Sequence, residues 1–131
     1  MVPDMVIEDT AAIVFDYITS LVEELGSPNK IKLIPGHTAP SWIADVDTPN
    51  YRAAIKAVKR VYGVEPDLTR EGGSIPVTLT FQQLTGKSVV LLPMGRGDDG
   101  AHSQNEKLNR SNYIQGIKLF AAYLHELSVS K

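Results

Sequence analysis

The apolar run within SVVLLP, residues 88–93, is the feature that most limits how this chain can fold. A continuous apolar run of this length is typical of a buried strand, as found in sheets that are covered on both faces. A second short strand is predicted at Lys30–Ile34, where Pro35 and Gly36 end it. Helical segments alternate with these strands along the chain, and this order predicts an α/β fold.

Three segments carry apolar residues at the spacing of an amphipathic helix. The first runs from Glu8 to Leu25 and is followed by Gly26. The second begins after Thr48, a residue that caps helices well, with Pro49 in the first turn. The third lies near the C-terminus, and its apolar positions are Ile114, Ile117, Phe120, Ala121, Leu124 and Leu127.

The stretch IPVTLTFQQL, residues 75–84, fits two different structures. Apolar residues alternate with threonines from Val77 to Phe81, and this alternation favours a strand. The same stretch has Pro76 near its start and Gly86 after its end, as a short helix would. Periodicity alone leaves both structures open.

Composition excludes several classes of function. The chain has 131 residues, which is enough for one modest domain, and a net charge of −2. Its Lys and Arg residues are scattered, so neither nucleic acid nor a membrane is expected as a partner, and no apolar run is long enough to span a bilayer. It has no cysteine, which excludes disulfides, thiolate nucleophiles and Cys-type zinc sites.

Two polar motifs are candidates for chemistry. REGGS, residues 70–74, has two glycines that let backbone approach a ligand, although a tight turn followed by a helix cap explains it equally simply. DDGAHSQNE, residues 98–106, gathers many hydrogen-bonding groups around His102, one of three histidines. A lone histidine in a polar loop is usually only solvated, and the same holds for His37 in its Pro-Gly turn. Asp98 or Asp99 is a candidate to orient His102 through its second ring nitrogen.

Two long segments, DLTREGGSIPVTLTFQQLTGK and LLPMGRGDDGAHSQNEKLNR, resemble the C-terminal catalytic region of the carnosine dipeptidase group of dinuclear-zinc metallopeptidases. That group includes cytosolic non-specific dipeptidases and fungal Cys-Gly dipeptidases. The resemblance implies that residues 1–44 are the last helix and strand of an α+β lid and dimerisation domain. Residues 45–131 then form the C-terminal part of the catalytic domain, in which residues 76–84 are helical.

The resemblance also assigns roles to individual residues. His102 corresponds to a ligand of one of the two zinc ions. Glu71, Gly73 and Ser74 correspond to residues that line the substrate pocket, where Ser74 lies at a helix N-terminus suited to a dipeptide's carboxylate. His37 corresponds to a histidine that contacts the substrate near the scissile carbonyl.

The remaining zinc ligands of that group and its glutamate general base have no counterpart in this chain. The resemblance therefore implies a C-terminal piece of a cytoplasmic, homodimeric dipeptidase that uses two Zn²⁺ ions, with Mn²⁺ as an alternative metal. The piece itself is expected to be inactive, because a stable zinc site generally needs three or four protein ligands. A non-catalytic module that binds a partner chain through the lid surface is the alternative interpretation.

Overall fold

The computed structural model describes residues 2–70 and 75–130, and its regular elements there are four α-helices. They are α1 (Ile7–Glu24), α2 (Pro49–Tyr62), α3 (Pro76–Thr85) and α4 (Arg110–Val129). The three helices predicted from apolar spacing are confirmed, and the ambiguous stretch is helix α3. None of the helices within the described residues is long and apolar enough to cross a membrane.

The chain separates into two compact units, Met1–Ile43 and Ala44–Lys131. The first unit contains α1, and the second contains α2, α3 and α4. The division falls beside the boundary expected at residue 44, whereas the assignment of the units to a lid and a catalytic domain stays a prediction.

The described residues contain no β-strand, so the structure does not show the predicted α/β class. The segments Lys30–Ile34 and 88–93 have no regular secondary structure, so the structure confirms neither strand prediction. The physical reason is that a strand forms by hydrogen bonding to a neighbouring strand. A strand needs a neighbour to satisfy its backbone hydrogen bonds, and apolar sequence without such a neighbour within the described part of the chain does not form one.

Helix α2 begins and ends at the residues that its sequence predicts. The Thr48 hydroxyl accepts a hydrogen bond from the backbone amide of Tyr51 at 3.3 Å, and Pro49 occupies the first turn. At the other end Gly63 adopts a φ of 75°, a left-handed conformation that glycine tolerates without strain, and its amide donates to the Lys59 carbonyl at 2.9 Å.

Helices α2 and α4 pack against each other and form the small core of the second unit. In the part of the chain that the structure describes, the buried apolar residues are Ala53, Ala54 and Ala57 of α2 and Leu119 of α4. Arg60 of α2 also forms an ion pair with Glu126 of α4, with 2.7 Å between Nη2 and Oε1. Because Glu126 is only 5% exposed, this pair links the two helices where its carboxylate is largely withdrawn from water.

Side-chain hydrogen bonds hold the apolar segment 88–94 at both of its ends. The Asn50 amide donates to the Ser88 carbonyl at 2.8 Å, and the Tyr123 hydroxyl donates to the Asn50 side-chain oxygen. At the far end the Asn112 amide donates to the Met94 carbonyl at 2.9 Å. The segment is therefore fixed to α2 and α4 by side chains instead of by a sheet.

Gly116 of α4 lets Met94 approach the helix closely. A Cβ atom placed on Gly116 would lie 2.2 Å from the Met94 sulfur, well inside van der Waals contact. A larger residue at this position would force the Met94 side chain to shift, and the contact lies immediately before the next loop.

Candidate functional site

His102 lies in a loop that internal hydrogen bonds divide into defined turns. We call residues 95–107 the His102 loop. The Asp99 amide donates to the Arg96 carbonyl at 3.1 Å, and the Ser103 amide donates to the Gly100 carbonyl at 3.0 Å. A longer bond closes the loop, in which the Lys107 amide donates to the Asp99 carbonyl at 2.9 Å. The histidine is thus carried by an ordered turn although no helix or strand contains it.

The backbone of His102 adopts a φ of 63°, in the left-handed region that side chains other than glycine rarely enter. His102 is the third residue of the turn between Gly100 and Ser103, the position at which a type II turn requires a positive φ. Its side chain is exposed. Strained residues of this kind persist only where their surroundings hold them, and they cluster at functional sites.

Lys107 makes a set of contacts with the start of the same loop. Its ammonium donates to the Asp98 carbonyl at 2.7 Å and lies 3.0 Å from the Asp98 carboxylate. It also lies 3.5 Å from the nearer carboxylate oxygen of Asp99. The hydrogen bond and the charge of Lys107 hold the pKa of the Asp98 carboxyl below its usual value. The Asp98 carboxyl therefore remains ionised at neutral pH beside this cation.

Asp99 also stabilises the turn that begins the loop. Its Oδ2 accepts a hydrogen bond from the Arg96 amide at 2.7 Å. Among the described residues no hydrogen bond joins the His102 imidazole to Asp98 or Asp99, so this structure does not support the expectation that either carboxylate orients the ring. Their partners are the loop backbone and Lys107.

The described residues do not form a complete metal site. Within residues 2–70 and 75–130, no group of three or more His, Asp or Glu side chains is close enough together to bind a metal ion. His102 fits the role of a single ligand, because its imidazole is exposed on a loop that is fixed by hydrogen bonds. A protein zinc site takes three or four such ligands, so the described residues alone do not form one.

The remaining predicted site residues are distributed as follows. His37 is exposed in the first unit, in a segment without regular secondary structure. Glu71, Gly73 and Ser74 lie outside the described residues. Helix α3 begins at Pro76, two positions after Ser74, as expected for a motif that precedes a helix.

Sequence reasoning missed the role of Lys107 in closing the His102 loop. The partners Asp98 and Lys107 are nine positions apart, and no helical or strand periodicity connects residues at that distance within a loop. The unusual density of polar residues around His102 was the only available signal, and it marked the loop without indicating which side chains pair.

A groove of about 360 Å³ lies elsewhere in the second unit, between α2 and the segment 90–95. Its lining is mainly apolar and includes Tyr51, Ile55, Val58, Leu92 and Leu119. Burial raises the pKa of the Tyr51 hydroxyl. Among the described residues the lining carries one carboxylate, Asp67, and no second carboxylate that could pair with it in acid–base chemistry.

Comparison with solved structures gives two close matches. The structure of the dipeptidase Dug1p from Saccharomyces cerevisiae matches with a TM-score of 0.89 and 52% identity, over 98% of this chain and 27% of that chain. Human carnosine dipeptidase 1 matches with a TM-score of 0.87 and 40% identity, over the same shares of the two chains.

Relatives with assigned names give the same result along the whole sequence. The Cys-Gly metallodipeptidase Dug1 of Saccharomyces cerevisiae is 52% identical over 129 residues, which is 98% of this chain and 27% of the relative. That of Schizosaccharomyces pombe is 50% identical over 127 residues, again 27% of the relative. The human Beta-Ala-His dipeptidase is 42% identical over 128 residues. The chain thus spans about a quarter of the length of the relatives it matches.

The family comparison covers nearly all of the chain. Residues 4–126 match the model of peptidase family M20/M25/M40. This range includes the His102 loop, the REGGS motif and all but the last residues of α4. The chain belongs to peptidase family M20/M25/M40.

Proposed function

We propose that this chain forms part of a metallodipeptidase that hydrolyses Cys-Gly or other dipeptides. The observation that carries the proposal is that relatives at least 50% identical along 97% or more of the chain are named Cys-Gly metallodipeptidases. The His102 loop supports it, because it exposes an imidazole on an ordered turn at a positive φ, a conformation that is sparsely populated and is often found at functional sites.

The chain contributes substrate contacts and one metal ligand to the proposed site. Glu71, Gly73 and Ser74 bind the carboxylate end of the dipeptide ahead of helix α3, where helix amides attract anions. His37 donates a hydrogen bond to the scissile carbonyl oxygen, a bond that strengthens as negative charge develops there. His102 binds one metal ion.

The metal is proposed to be zinc, two ions in each intact subunit, with Mn²⁺ as the alternative. When bound, such ions polarise a carbonyl group and lower the pKa of bound water. The other ligands and the general base come from residues that this chain does not include. The chain alone is therefore proposed to be inactive.

The same proposal covers fold and assembly. Segment 88–93 is a strand of an α/β catalytic domain when neighbouring strands are present to accept and donate its backbone hydrogen bonds. Residues 1–44 belong to a lid domain through which the intact cytoplasmic enzyme forms a homodimer.

A non-catalytic module is the second candidate. Helix α1 has no buried residue and exposes Ile13 and Tyr17 at 69% and 65%. An apolar helix face of this kind suits a partner chain. The two candidates differ in whether the site residues affect hydrolysis once the rest of a catalytic domain is supplied.

A grafted enzyme tests the proposal. We define the grafted enzyme as the Saccharomyces cerevisiae Cys-Gly metallodipeptidase in which this chain is substituted for the matching segment, which aligns over 129 residues at 52% identity. We expect the grafted enzyme to bind zinc and hydrolyse Cys-Gly, and we expect His102→Ala to lose zinc, measured by metal analysis after dialysis. A folded His102→Ala enzyme that keeps its full zinc content contradicts the ligand assignment.

Kinetics of the grafted enzyme distinguish the two kinds of substrate contact. His37→Ala should lower kcat by about 10²–10³-fold with little change in KM, because the hydrogen bond forms fully only in the transition state. Ser74→Ala should raise KM by about 10-fold to 100-fold, as loss of a hydrogen bond to a charged carboxylate does. Unchanged kcat and KM in both variants would favour the non-catalytic module.

A further inference from the structure

We propose that Lys107 is a positioning residue that holds His102 in the orientation required for metal binding. The inference rests on the proposed function, in which His102 is a metal ligand. Lys107 is five residues from His102 and makes its contacts at the opposite end of the loop.

The first argument is the number of contacts that Lys107 makes with one short segment. Its ammonium donates to the Asp98 carbonyl at 2.7 Å and lies 3.0 Å and 3.5 Å from the carboxylates of Asp98 and Asp99. Its backbone amide donates to the Asp99 carbonyl at 2.9 Å. Side chain and backbone of one residue therefore fix both members of the aspartate pair.

The second argument is what lies between the joined ends. The residues from Gly100 to Glu106 include three with positive φ, namely Gly100 at 67°, His102 at 63° and Asn105 at 61°. Residues other than glycine occupy the left-handed region sparsely, although His and Asn enter it more readily than most, so contacts that close the loop favour this shape. The contacts of Lys107 close the loop around these residues and are suited to enforce that shape.

The ion pair with Asp98 is an exposed one, with side chains 46% and 69% exposed, and alone would constrain the loop little. Exposed pairs between flexible side chains contribute little because water competes for both charges. Here the Asp99 side chain is only 13% exposed and also accepts a hydrogen bond from the Arg96 amide at 2.7 Å. The ammonium thus meets a preorganised acceptor group, and its loss removes a constraint on the backbone that carries His102.

Metal binding by the grafted enzyme tests the inference. We compare Lys107→Met, which removes the charge at similar length, with Lys107→Arg and with the control Lys59→Met. Lys59 also forms an ion pair, at 2.8 Å with Glu65, but lies on α2 outside the loop. Residues that orient metal ligands typically contribute 10-fold to 100-fold to affinity, so Lys107→Met should weaken zinc binding by about that factor. Lys107→Arg should keep most of the zinc affinity of the unsubstituted enzyme, and Lys59→Met should keep all of it.

The absorption spectrum of bound cobalt(II) distinguishes a change in ligand geometry from a loss of protein stability. The visible absorption of bound cobalt depends on the geometry of its ligands, so Lys107→Met should shift the spectrum at saturating metal while Lys59→Met leaves it unchanged. If Lys107→Met does not fold, Asp98→Asn removes the carboxylate at 3.0 Å and keeps the backbone acceptor. That milder variant should weaken zinc binding in the same direction.

His102→Ala separates failure of this inference from failure of the proposed function. If His102→Ala abolishes binding at one metal position but Lys107→Met matches the unsubstituted enzyme in affinity and spectrum, the positioning role of Lys107 is wrong and the ligand assignment stands. If His102→Ala also leaves zinc affinity unchanged, both the ligand assignment and the inference are overturned.

Discussion

At the scale of single residues, the conformation of His102 is the most specific feature of the second unit. A positive φ places the Cβ atom close to a neighbouring backbone oxygen and costs most residues other than glycine about 1–2 kcal/mol. The turn from Gly100 to Ser103 nevertheless holds a histidine there, with φ at 63°. The energetic cost is consistent with a residue whose imidazole matters more than its fit to the backbone.

This strain leads to a prediction about two substitutions at one position. Both His102→Gly and His102→Ala remove the imidazole, but only glycine adopts the left-handed conformation without steric cost. We expect the glycine variant of the metal-free grafted enzyme to be more stable than the alanine variant by about 1 kcal/mol. Urea denaturation measures the difference, and equal stability of the two variants would show that the backbone at His102 is not strained.

At the scale of elements, local signals predict the helices that the structure contains, whereas the predicted strands are not confirmed. Thr48, Pro49 and Gly63 act within a few residues of one another, so the ends of α2 could be predicted from sequence. The run at 88–93 was predicted as a strand, but a strand depends on neighbours that no local pattern supplies. Likewise the motif around His102 predicted a functional loop, while the pairing of Lys107 with Asp98 could be found only from the structure.

The contact between α4 and the segment before the His102 loop gives a second prediction. Alanine normally stabilises a helix by about 1 kcal/mol relative to glycine. At Gly116 the sign should reverse, because the added Cβ would lie 2.2 Å from the Met94 sulfur. We expect Gly116→Ala to destabilise the grafted enzyme by about 1–3 kcal/mol, the usual cost of overpacking.

Shortening Met94 provides the control for that prediction. Met94→Ala removes the sulfur that a Cβ at Gly116 would meet. In the Met94→Ala background, Gly116→Ala should therefore have little effect or be stabilising, as measured by thermal unfolding. An equal loss of stability in both backgrounds would place the cause outside this contact.

At the scale of the whole molecule, the described residues bury little apolar side chain. Three alanines and Leu119 are the buried hydrophobic residues of residues 2–70 and 75–130, whereas large apolar side chains such as Leu25, Leu84 and Leu124 are at least 65% exposed. Stable soluble monomers rarely expose large contiguous apolar patches. Such a surface is suited to packing against further protein, and the relatives that this chain matches are about four times as long.

A prediction about solution behaviour follows from this exposure. At micromolar concentration the chain alone should self-associate and bind an apolar fluorescent dye, because both processes remove apolar surface from water. The grafted enzyme should bind much less dye at the same concentration. Light scattering and dye fluorescence measure the two effects, and a monomeric chain without dye binding would contradict the prediction.

The bond between the Lys107 amide and the Asp99 carbonyl also limits which insertions and deletions the chain tolerates. Surface loops usually accept changes in length because their ends are held by the elements they connect. Here the ends of the loop are joined directly, at 2.9 Å, around a fixed number of residues with positive φ. One residue added or removed between Asp99 and Lys107 would shift His102 out of its turn, so this exposed loop should be as restricted in length as a helix in a core.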